Sequence, residues 1–386
     1  MLYSMNLLSV MYSVNRFMVI ARCSRQLIIR AEYSNVRKFH QNVRDPSFKE
    51  LYPEVIHDLR VDHGLIAEVN SHLEEILRHN VLCRNFYAVL PVLTVYRLVS
   101  PKEHQTSDNL RLANILDWCT EIATGAYSMS DDMLDGSETR WNQKCWYRTD
   151  MGKAAVNDIQ LMQIAVYKLL HANFIDKPYY NNLTHLFTNA FYNSYVGEMF
   201  DNNTNRMFQK NRDISAFTMS KFRVCADYKI NHFGYTCPVY AAMMLADVPP
   251  KKLTQCIDRV LQGLSYLVQI QNDTMDCYGD TVKYGKECTD IREGKLTWVI
   301  VKALEDANKK QTEILATNYG KDDDKCIKTV QNVYDELRIL DKYKVHNQEV
   351  IDDVQNNINS IPDEAIRKVL QLCLDTHVGI DRLILE

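Results

Sequence analysis

Apolar residues recur at helical spacing along almost the entire chain. Long periodic segments run from Asn114 to Leu134 and from Leu253 to Ile270, and shorter ones lie on either side of them. Only 12 glycines and 9 prolines occur among 386 residues, so few positions would end a helix. The pattern therefore predicts an all-α protein, with a single helical domain over residues 41–386.

Two stretches between the long helices are expected to interrupt the helical pattern. The polar, Asn-rich stretch 201–211 is predicted to be a loop. Pro238 follows an apolar segment over 216–235, and a proline inside a helix removes a hydrogen bond and clashes with the preceding turn. We therefore expect the helix to break or kink at Pro238.

The first forty residues differ from the rest in their charge pattern. No acidic residue precedes Glu32, and serines and apolar residues separate the basic ones, which are Arg16, Arg22, Arg25, Arg30, Arg37 and Lys38. Such a stretch is typical of a mitochondrial transit peptide, whereas a secretory signal has an uninterrupted apolar core. We expect residues 1–40 to direct the protein to mitochondria. The alternative is a disordered extension on a cytoplasmic protein.

Charge, cysteine content and hydropathy narrow the function classes. A formal charge of −4 is too mild to indicate a nucleic-acid partner. The 11 cysteines are scattered without a CxxC pair, which fits reduced thiols of an intracellular protein better than a disulfide framework or a zinc site. No apolar run after residue 40 approaches the roughly 18 residues of a membrane-spanning helix. We therefore expect neither a nucleic-acid partner nor a transmembrane segment.

The clearest candidate chemistry is the acidic cluster Asp131-Asp132-Met133-Leu134-Asp135, which ends the first long segment. Asp131 and Asp135 lie one helical turn apart on one face. Two carboxylates packed against other helices repel each other unless a cation holds them. Mg²⁺ suits that position, because it binds one or two carboxylates and completes its shell with water and phosphate oxygens. The alternative is a solvated helix end that carries three acids.

A second acidic cluster ends the other long segment. It contains Asn272, Asp273 and Asp276, with Asp280 beyond them. Two clusters that can bind metal, each at a helix end, suggest two walls of one cavity that face a shared anion. A diphosphate ester is the expected anion, because Mg²⁺ joins carboxylates to phosphates.

Basic residues that could hold a diphosphate follow both clusters. Arg140 comes five residues after Asp135, where a turn would fold its guanidinium back for bidentate contact with a phosphate. Lys286 and Lys295 follow the second cluster. For each of these three, a solvent-exposed base is the alternative. Lys229 is different, because it lies in an apolar helix, which seldom buries an unpaired ammonium.

Aromatic residues on the same helices are expected to line the cavity between the clusters. Ring faces attract a carbocation by roughly 0.5–2 kcal/mol each and offer it no nucleophile. The residues are Tyr127, Phe191, Tyr195, Phe233 and Tyr235. The alternative is that these rings belong to the ordinary core.

Three stretches of the chain resemble motifs of farnesyl diphosphate synthases. DDMLDGSETRWNQKCWYR is similar to their first aspartate-rich motif, QIQNDTMDCYGD to their second, and GKECTDIREGKLTW to the lysine-bearing loop that follows. The resemblance implies a class I isoprenoid synthase fold, which is an all-α bundle around a central active-site cavity. It also implies a homodimer and three Mg²⁺ ions that hold an allylic prenyl diphosphate.

The resemblance also implies roles for individual residues. Metal ligands would come from Asp131, Asp132, Asp135, Asn272, Asp273, Asp276 and Asp280. Catalytic contacts to the diphosphate would come from Arg140, Lys229 and Lys286. Further substrate contacts would come from Gln269, Lys295 and Asp201.

The same resemblance suggests the length of the substrate. In the family, bulky residues four and five positions before the first aspartate form the cavity floor, and here these are Tyr127 and Ala126. Phe233 would add to the aromatic wall. One aromatic and one small floor residue favour a C15 chain, so farnesyl diphosphate is the expected substrate.

The chain departs from the family at the second substrate site, which binds isopentenyl diphosphate. Cys83-Arg84-Asn85 and Ala88 replace most of the family's GGKxNR motif, and Trp141 replaces the second arginine of a tandem pair. Thr124 replaces a glutamine, and residues 381–386 replace a basic C-terminal tail. Each lost charge-assisted contact costs about 1.5–3 kcal/mol. Binding of a second diphosphate would therefore be weakened by several orders of magnitude.

These departures make the chain similar to insect terpene synthases of farnesyl diphosphate synthase ancestry, which keep the allylic motifs and lose the second-substrate motif. We therefore predict a class I terpene synthase that uses Mg²⁺ to convert farnesyl diphosphate into a sesquiterpene or sesquiterpene alcohol and diphosphate. The alternatives are a short-chain prenyltransferase, which makes farnesyl or geranyl diphosphate, and a non-catalytic prenyltransferase subunit.

Overall fold

Helices account for nearly all of the regular structure, as the apolar periodicity predicts. The structure, a computed structural model, describes residues 45–62, 67–83, 90–230, 232–248, 253–279 and 288–385, with side chains to residue 378. The helices are α1 (Ser47–Glu50), α2 (Tyr52–Leu59), α3 (Ala67–Leu77), α4 (Val92–Val99), α5 (Ser107–Leu134), α6 (Ala155–Phe174), α7 (Tyr180–Asn211), α8 (Met219–Lys229), α9 (Cys237–Leu245), α10 (Thr254–Tyr278), α11 (Asp290–Glu293), α12 (Trp298–Asp306), α13 (Lys309–Asn318), α14 (Asp324–Glu336), α15 (Ile339–Asn359) and α16 (Glu364–Leu385). A short antiparallel pair joins β1 (Thr139–Arg140) to β2 (Gln143–Lys144). The all-α prediction is confirmed.

The predicted transit peptide, residues 1–40, lies outside the described residues. Within the described ranges, no helix has both the length and the apolar character needed to cross a membrane.

Helix α5 lies at the centre of the bundle. The hydroxyl of Thr106 accepts a hydrogen bond from the backbone N–H of Asn109, and this N-cap starts the helix earlier than the periodicity alone predicts. From Leu112 to Ala126, every side chain except that of Thr124 is buried. Helices α4, α6 and α9 pack around this stretch. Burial on all sides fixes α5 in the bundle, and with it the acids at its C-terminal end.

Buried polar groups on α5 anchor the N-terminal helices. The indole N–H of Trp118 donates a 2.9 Å hydrogen bond to the carbonyl of Phe48, and the two rings stack with centroids 4.4 Å apart. The carboxylate of Asp117 accepts hydrogen bonds from the backbone N–H groups of Val92 and Leu93 at the start of α4. A carboxylate at a helix N-terminus satisfies orphan donors and complements the helix dipole. Asp117 is therefore an acid with a structural role.

The prediction of a loop over 201–211 is wrong, because α7 continues without a break to Asn211. Thr204 and Phe208 are buried, and packing of these side chains outweighs the polar composition around them. The hydroxyl of Thr204 also donates a hydrogen bond of 2.9 Å to the carbonyl of Phe200 in the preceding turn. The helix ends only at Arg212, whose φ is 55°. Residues on either side of position 201 therefore share helix faces.

The expected kink at Pro238 is also wrong. Helix α8 ends at Lys229, a π-helical turn covers His232–Thr236, and α9 begins at Cys237. Pro238 lies in the first turn of α9, where the missing N–H would have no helical partner in any case. The proline starts a helix here and does not bend one.

Candidate active site

The acids at the end of α5 contact Arg140, which a tight hairpin folds back onto them. Trp141 and Asn142 connect β1 to β2 with φ values of 50° and 63°, the left-handed conformation that such a two-residue turn requires. The guanidinium of Arg140 donates hydrogen bonds of 2.8 Å to Asp131 and of 2.5 and 2.8 Å to Asp132. Arg140 thus lies against the first acidic cluster, and its contact with a diphosphate stays a prediction.

Lys229, the last residue of α8, has a side chain only 12% exposed that lies against three carboxylates. Its Nζ atom lies 3.0 Å from Asp201, 3.1 Å from Glu198 and 3.3 Å from Asp131. Burial alone would lower the pKa of the ammonium, but the three carboxylates outweigh it and hold the pKa well above its usual value. Lys229 is therefore a permanent cation of the site, held by three carboxylate partners.

Gly197 explains how Lys229 can come this close to α7. A Cβ atom at position 197 would lie 2.7 Å from backbone atoms of Tyr228 and Lys229, closer than real side chains approach. Only glycine therefore lets α7 and α8 cross at this distance. Glu198 and Asp201 follow on α7, so the crossing places both carboxylates beside the ammonium.

A second buried ammonium, that of Lys295, pairs with Asp135. The two form an ion pair, and Nζ also lies 3.5 Å from Glu293 and 3.7 Å from Asp290. Burial alone would lower the pKa of Lys295, but Asp135 and Asp290 hold it well above its usual value. Both lysines therefore hold their charge next to the acids at the end of α5.

The loop before Lys295 is fixed to α7. Gln209, near the end of α7, donates hydrogen bonds of 2.9 Å to the carbonyl of Glu293 and 3.1 Å to the carbonyl of Gly320. Gly294 ends α11 with a φ of 73°, and a Cβ atom there would lie 2.9 Å from the side chain of Gln209. Helix α7 therefore positions its own carboxylates and, through this contact, the second ammonium.

Three carboxylates converge in a way that fits a divalent cation. One oxygen atom each from Asp131, Asp135 and Glu198 can be chosen so that all three lie within 4.8 Å of one another. On the same helix as Glu198, Oδ1 of Asp201 is buried and has no hydrogen-bond partner among the described residues. Such an atom is costly unless a cation or a water satisfies it. The donors are all oxygen, as Mg²⁺ prefers, so these residues fit the metal that the sequence predicts.

The electrostatics of the site also favour a metal. Burial raises the pKa of Asp132, against the opposing effect of Arg140. It raises the pKa of Glu198 in the same way, against Lys229, and neighbouring acids add to the rise. Burial raises the pKa of Glu293 to about 7. Acids that repel each other in a buried site are stabilised by a divalent cation.

The sequence pattern does not single out Glu198. It lies three residues before Asp201 on α7, so the two carboxylates share one face of the helix. This signal is visible only if stretch 201–211 continues the helix, and the polar composition of that stretch predicts a loop.

The second acidic cluster is bound to backbone groups. Asp273 accepts hydrogen bonds of 2.7 Å from the backbone N–H of Trp298 and from the side chain of Gln269. Asp276 accepts bonds of 3.2 and 3.0 Å from the backbone N–H groups of residues 289–290, at the start of α11. Asn272 is half-buried on the same helix. Asp273 and Asp276 thus hold residues 289, 290 and 298 in place. Metal binding by this cluster stays a prediction.

A cavity of about 280 Å³ opens beside the acids at the end of α5. Its lining includes Asp135, Asp201, Asn205, Glu293 and Lys295. The side-chain oxygen of Asn205 is buried and has no hydrogen-bond partner within the described part of the chain. Since a water molecule takes up roughly 30 Å³, the cavity has room for a hydrated ionic group.

Four of the five predicted wall residues form one aromatic cluster. The ring of Tyr127 lies 5.8 Å from that of Tyr195 and 6.2 Å from that of Phe233, measured between centroids. Phe233 lies 4.9 Å from Phe191 in an edge-on arrangement. The hydroxyl of Tyr127 reaches the first acidic cluster indirectly, through a 2.9 Å hydrogen bond to Glu198. The aromatic cluster therefore adjoins the ionic site.

The predicted place of Tyr235 in this wall is wrong. Its ring packs edge-on against His377, and its hydroxyl forms a hydrogen bond with the same histidine. Residues two positions apart on a helical turn do not face each other, which separates Tyr235 from Phe233. Ala126, the small floor residue, is fully buried in α5 next to Tyr127.

Several predicted site residues lie outside the described residues. They are Lys286 and Asp280 of the allylic site, and Arg84, Asn85 and Ala88 of the second substrate site. Cys83, Thr124 and Trp141 of that second site are described. The hydroxyl of Thr124 donates a 2.7 Å hydrogen bond to the carbonyl of Thr120, and the ring of Trp141 lies 5.9 Å from the guanidinium of Arg140.

Comparisons with known proteins connect this geometry to a family. Residues 71–337 match the family described as polyprenyl synthetase. A farnesyl pyrophosphate synthase of Murgantia histrionica is 30% identical over 315 residues, which cover 81% of this chain and 76% of that protein. A chloroplastic bifunctional chrysanthemol synthase of Tanacetum cinerariifolium is 32% identical over 336 residues, 86% of this chain and 84% of that protein.

A solved structure has the same fold. The T. brucei farnesyl diphosphate synthase complexed with the bisphosphonate BPH-722 matches with a TM-score of 0.79 and 22% identity, over 84% of this chain and 96% of that one. This likeness confirms the predicted isoprenoid synthase fold. The sequence matches confirm the predicted isoprenyl diphosphate synthase ancestry. The chain therefore belongs to the polyprenyl synthetase family.

Proposed function

We propose that this protein is a Mg²⁺-dependent enzyme that ionises an allylic prenyl diphosphate. Chain elongation by the resulting cation is the first candidate reaction. One observation carries the proposal. The carboxylates of Asp131, Asp135 and Glu198 converge beside the buried ammonium groups of Lys229 and Lys295. When a diphosphate binds with its Mg²⁺ ions, the carboxylates would ligate the metal and the two ammonium groups would contact the anion.

The side chains of the site would act on the leaving group. Bound Mg²⁺, with Asp131 and Asp135 as its ligands, would supply Lewis acidity to the diphosphate oxygens. Lys229, Lys295 and Arg140 would donate hydrogen bonds to the oxygens that gain charge as the bond to the allylic carbon breaks. Carboxylates hold these cations in the site before substrate binds. Little reorganisation is therefore needed when the charge develops.

The aromatic cluster would receive the hydrocarbon chain. Tyr127, Phe191 and Phe233 offer ring faces and edges to an allylic cation, worth roughly 0.5–2 kcal/mol for each well-placed ring. The burial of Phe191 and Phe233 would also exclude water, which protects the cation from capture. The acceptor for the final proton would be the released diphosphate, so no side chain need serve as a dedicated base.

Chain elongation is the first candidate because a relative that is 30% identical over 81% of this chain is a farnesyl pyrophosphate synthase. In this reaction the alkene of isopentenyl diphosphate would form a carbon–carbon bond to the allylic cation and then lose a proton. The proposed product is a short-chain prenyl diphosphate, farnesyl or geranyl.

A terpene synthase is the second candidate, and a specific observation favours it. Position 124 carries a threonine that bonds to its own helix, and position 141 carries an uncharged tryptophan against Arg140. Neither residue supplies a cation for a second diphosphate, and the sequence places Asn85 and Ala88 where the family has further charge. A cation without an alkene partner would react within its own chain, so farnesyl diphosphate would yield a sesquiterpene or its alcohol.

One experiment separates the candidates. The purified full-length protein is given Mg²⁺ with dimethylallyl plus isopentenyl diphosphate, with farnesyl diphosphate alone, or with farnesyl plus isopentenyl diphosphate. Volatile products are extracted for gas chromatography with mass spectrometry, and diphosphates are dephosphorylated and measured in the same way. A parallel series with EDTA is the control for metal dependence.

Each candidate predicts a different result. Longer diphosphates that form only with isopentenyl diphosphate would establish elongation and exclude the terpene synthase. Hydrocarbons or alcohols from farnesyl diphosphate alone would establish the terpene synthase and exclude elongation. A non-catalytic subunit would show neither, and would change the product lengths of an active prenyltransferase after mixing. Absence of both kinds of product, whether or not the protein acts on another prenyltransferase, would overturn the proposed function.

The metal count and the assembly belong to the same proposal. We propose three Mg²⁺ ions per site in the presence of a diphosphate, which equilibrium dialysis with inorganic diphosphate would count.

We also propose a homodimer. Apolar side chains on the outer faces of α6 and α7 are well exposed, among them Ile164 (63%), Tyr192 (69%) and Met199 (58%), and a partner would cover them. Light scattering coupled to gel filtration would give the mass in solution.

Mitochondrial targeting by residues 1–40 is the last part of the proposal. The charge pattern of that stretch supports it. Fusion of these residues to a fluorescent protein in cultured cells would test it, with the arginines replaced by glutamine as the control. Cytoplasmic fluorescence of the unaltered fusion would contradict it.

A further inference from the structure

Glu198 is a buried acid that none of the sequence motifs includes. Its side chain is only 2% exposed, yet it has three polar neighbours. The hydroxyl of Tyr127 donates a 2.9 Å hydrogen bond to Oε2, the amide of Asn202 donates a 2.8 Å bond to Oε1, and the ammonium of Lys229 lies 3.1 Å from Oε2. Such a well-held carboxylate has a defined position toward the acids at the end of α5.

That position is within reach of a metal shared with α5. Oxygen atoms of Glu198, Asp131 and Asp135 lie within 4.8 Å of one another. Ligands of one Mg²⁺ lie about 2.0–2.1 Å from the ion, so two oxygens on opposite sides of it are about 4.2 Å apart. Small rotations of these side chains would therefore bring all three onto a single ion.

A second observation indicates that this group of acids is built for a cation. Oδ1 of Asp201 is buried and has no hydrogen-bond partner in the described ranges, although Asp201 is only 8% exposed and lies in the same contact set around Lys229. The ammonium of Lys229 now stands among Asp131, Glu198 and Asp201. It occupies the place where charge compensation is needed most.

We propose that Glu198 is a third carboxylate ligand of the metal centre, contributed by α7 to the pair on α5. Lys229 neutralises Glu198 and Asp131 while the site holds no metal. With Mg²⁺ and a diphosphate bound, these carboxylates would hold the metal, and the ammonium of Lys229 would donate its hydrogen bonds to the diphosphate. The identity of the metal rests on the proposed function, whereas the role of Glu198 as a ligand does not depend on turnover.

Metal binding can be measured without a reaction. Mn²⁺ serves as the probe, because free and bound Mn²⁺ are distinguished by electron paramagnetic resonance, and Mg²⁺ is then used to displace it. Titrations of the full-length protein are made with and without inorganic diphosphate. Three variants accompany the wild type: Glu198→Gln, Glu293→Gln and Tyr127→Phe.

The variants separate ligation from two simpler roles. Glu198→Gln keeps an acceptor for Tyr127 and removes the charged ligand, and we expect Mn²⁺ affinity to fall about ten- to a hundredfold, as for the loss of a group that supports a metal site. Glu293→Gln removes a carboxyl group that pairs with Lys295 and is not one of the three converging ligands, so it should weaken binding by no more than about threefold. Tyr127→Phe removes only the hydrogen bond to Glu198 and should act similarly weakly.

A direct test of ligation uses Co²⁺. Glu198→His would place a nitrogen where the wild type has an oxygen, and the visible absorption of bound Co²⁺ would change only if residue 198 ligates the ion. Circular dichroism and thermal unfolding confirm that each variant folds, and Glu198→Asp replaces any variant that does not. A shorter carboxylate should bind Mn²⁺ with an affinity between those of the wild type and Glu198→Gln.

Three outcomes would overturn the proposal. Glu198→Gln could bind Mn²⁺ as tightly as the wild type, Glu198→Gln and Glu293→Gln could weaken binding equally, or the Co²⁺ spectrum could be unchanged in Glu198→His. Wild-type protein that binds Mn²⁺ through Glu198 without turning over any prenyl diphosphate would overturn the proposed function alone.

Discussion

The two acidic helix ends look alike in sequence but are satisfied in different ways. At the end of α5, the carboxylates of Asp131 and Asp135 pair with the side-chain cations of Lys229 and Lys295. At the end of α10, Asp273 and Asp276 accept hydrogen bonds from backbone N–H groups of residues 289, 290 and 298. Side-chain cations can move away when another cation arrives, whereas backbone donors are fixed in the fold.

This difference separates an exchangeable site from a scaffold. The α5 acids can give up an ammonium for a metal at little cost to the fold, because the partners are long and flexible side chains. The α10 acids hold the start of α11 and of α12, so their loss leaves buried donors without acceptors. Substitutions at the first cluster should therefore change activity, and substitutions at the second should also change stability.

The sharpest test of the exchangeable site is Asp131→Ala. We expect turnover to fall on the order of a thousandfold, as when one strong electrostatic contact to the transition state is lost. The free energy of unfolding should change little, since Lys229 keeps Glu198 and Asp201 as partners. Steady-state kinetics and urea unfolding measure the two effects. The control is Asp108→Ala at the exposed start of the same helix, and a large loss of stability in Asp131→Ala would contradict the comparison.

Gly197→Ala tests whether the helix crossing sets the position of Lys229. The added Cβ would meet the backbone of Tyr228 and Lys229 at 2.7 Å, so α8 must shift away from α7. A misplaced catalytic cation should reduce turnover about a hundredfold, and overpacking should destabilise the protein by about 1–3 kcal/mol. The matched control is Gly263→Ala, where the Cβ would meet a methyl group of Val354 at 2.7 Å, far from Lys229 in sequence. Equal losses of turnover in both variants would argue against the crossing.

Asp276→Ala tests the scaffold. Two backbone donors at residues 289–290 would lose their acceptor. Each buried donor left unpaired costs about 1–3 kcal/mol, so the loss of both contacts should lower the free energy of unfolding by about 2–6 kcal/mol. Asp276→Asn keeps one acceptor and should lose less. If Asp276→Ala unfolds like the wild type, the backbone contacts do not stabilise this region.

The smallest expected effect concerns pH and Glu293. Burial raises the pKa of this carboxyl from 4.5 to about 7, so the folded metal-free protein binds a proton more tightly than the unfolded chain. That contribution to stability is fully present below about pH 4.5 and is lost as the pH rises through about 7. A shift of this size corresponds to at most about 3 kcal/mol, and partial solvent exposure of the side chain reduces it, so Glu293→Gln should remove about 1–2 kcal/mol of pH dependence. Urea unfolding in EDTA at several pH values measures it, and an unaltered pH profile would contradict the assignment.

Features that depend on local spacing could be predicted from the sequence. The acids at the end of α5 lie four residues apart, which fixes them on one helix face whatever surrounds them. Arg140 follows Asp135 by only five residues. The turn that brings its guanidinium back to these acids is therefore also a local feature. The all-α fold followed from the periodicity of apolar residues.

Contacts between distant elements that no sequence motif carries could not be predicted. Glu198 meets the α5 acids only because α7 continues past position 201 and crosses α8 at Gly197. The backbone partners of Asp273 and Asp276 come from a segment that returns after α10, and no spacing within α10 reveals it. Polar composition misled the prediction over 201–211, because buried Thr204 and Phe208 stabilise the helix through tertiary contacts.

Helix α7 also fixes the distance between two contacts of the site. Glu198 and Gln209 lie on the same uninterrupted helix, about 16 Å apart at 1.5 Å per residue. One end of that span faces the acids of α5, and the other holds the carbonyls of Glu293 and Gly320. A single residue inserted between them would turn one end by about 100° against the other. The number of residues between Glu198 and Gln209 is therefore fixed by the two contacts. We expect related chains to lack insertions here and to carry them in the surface loops.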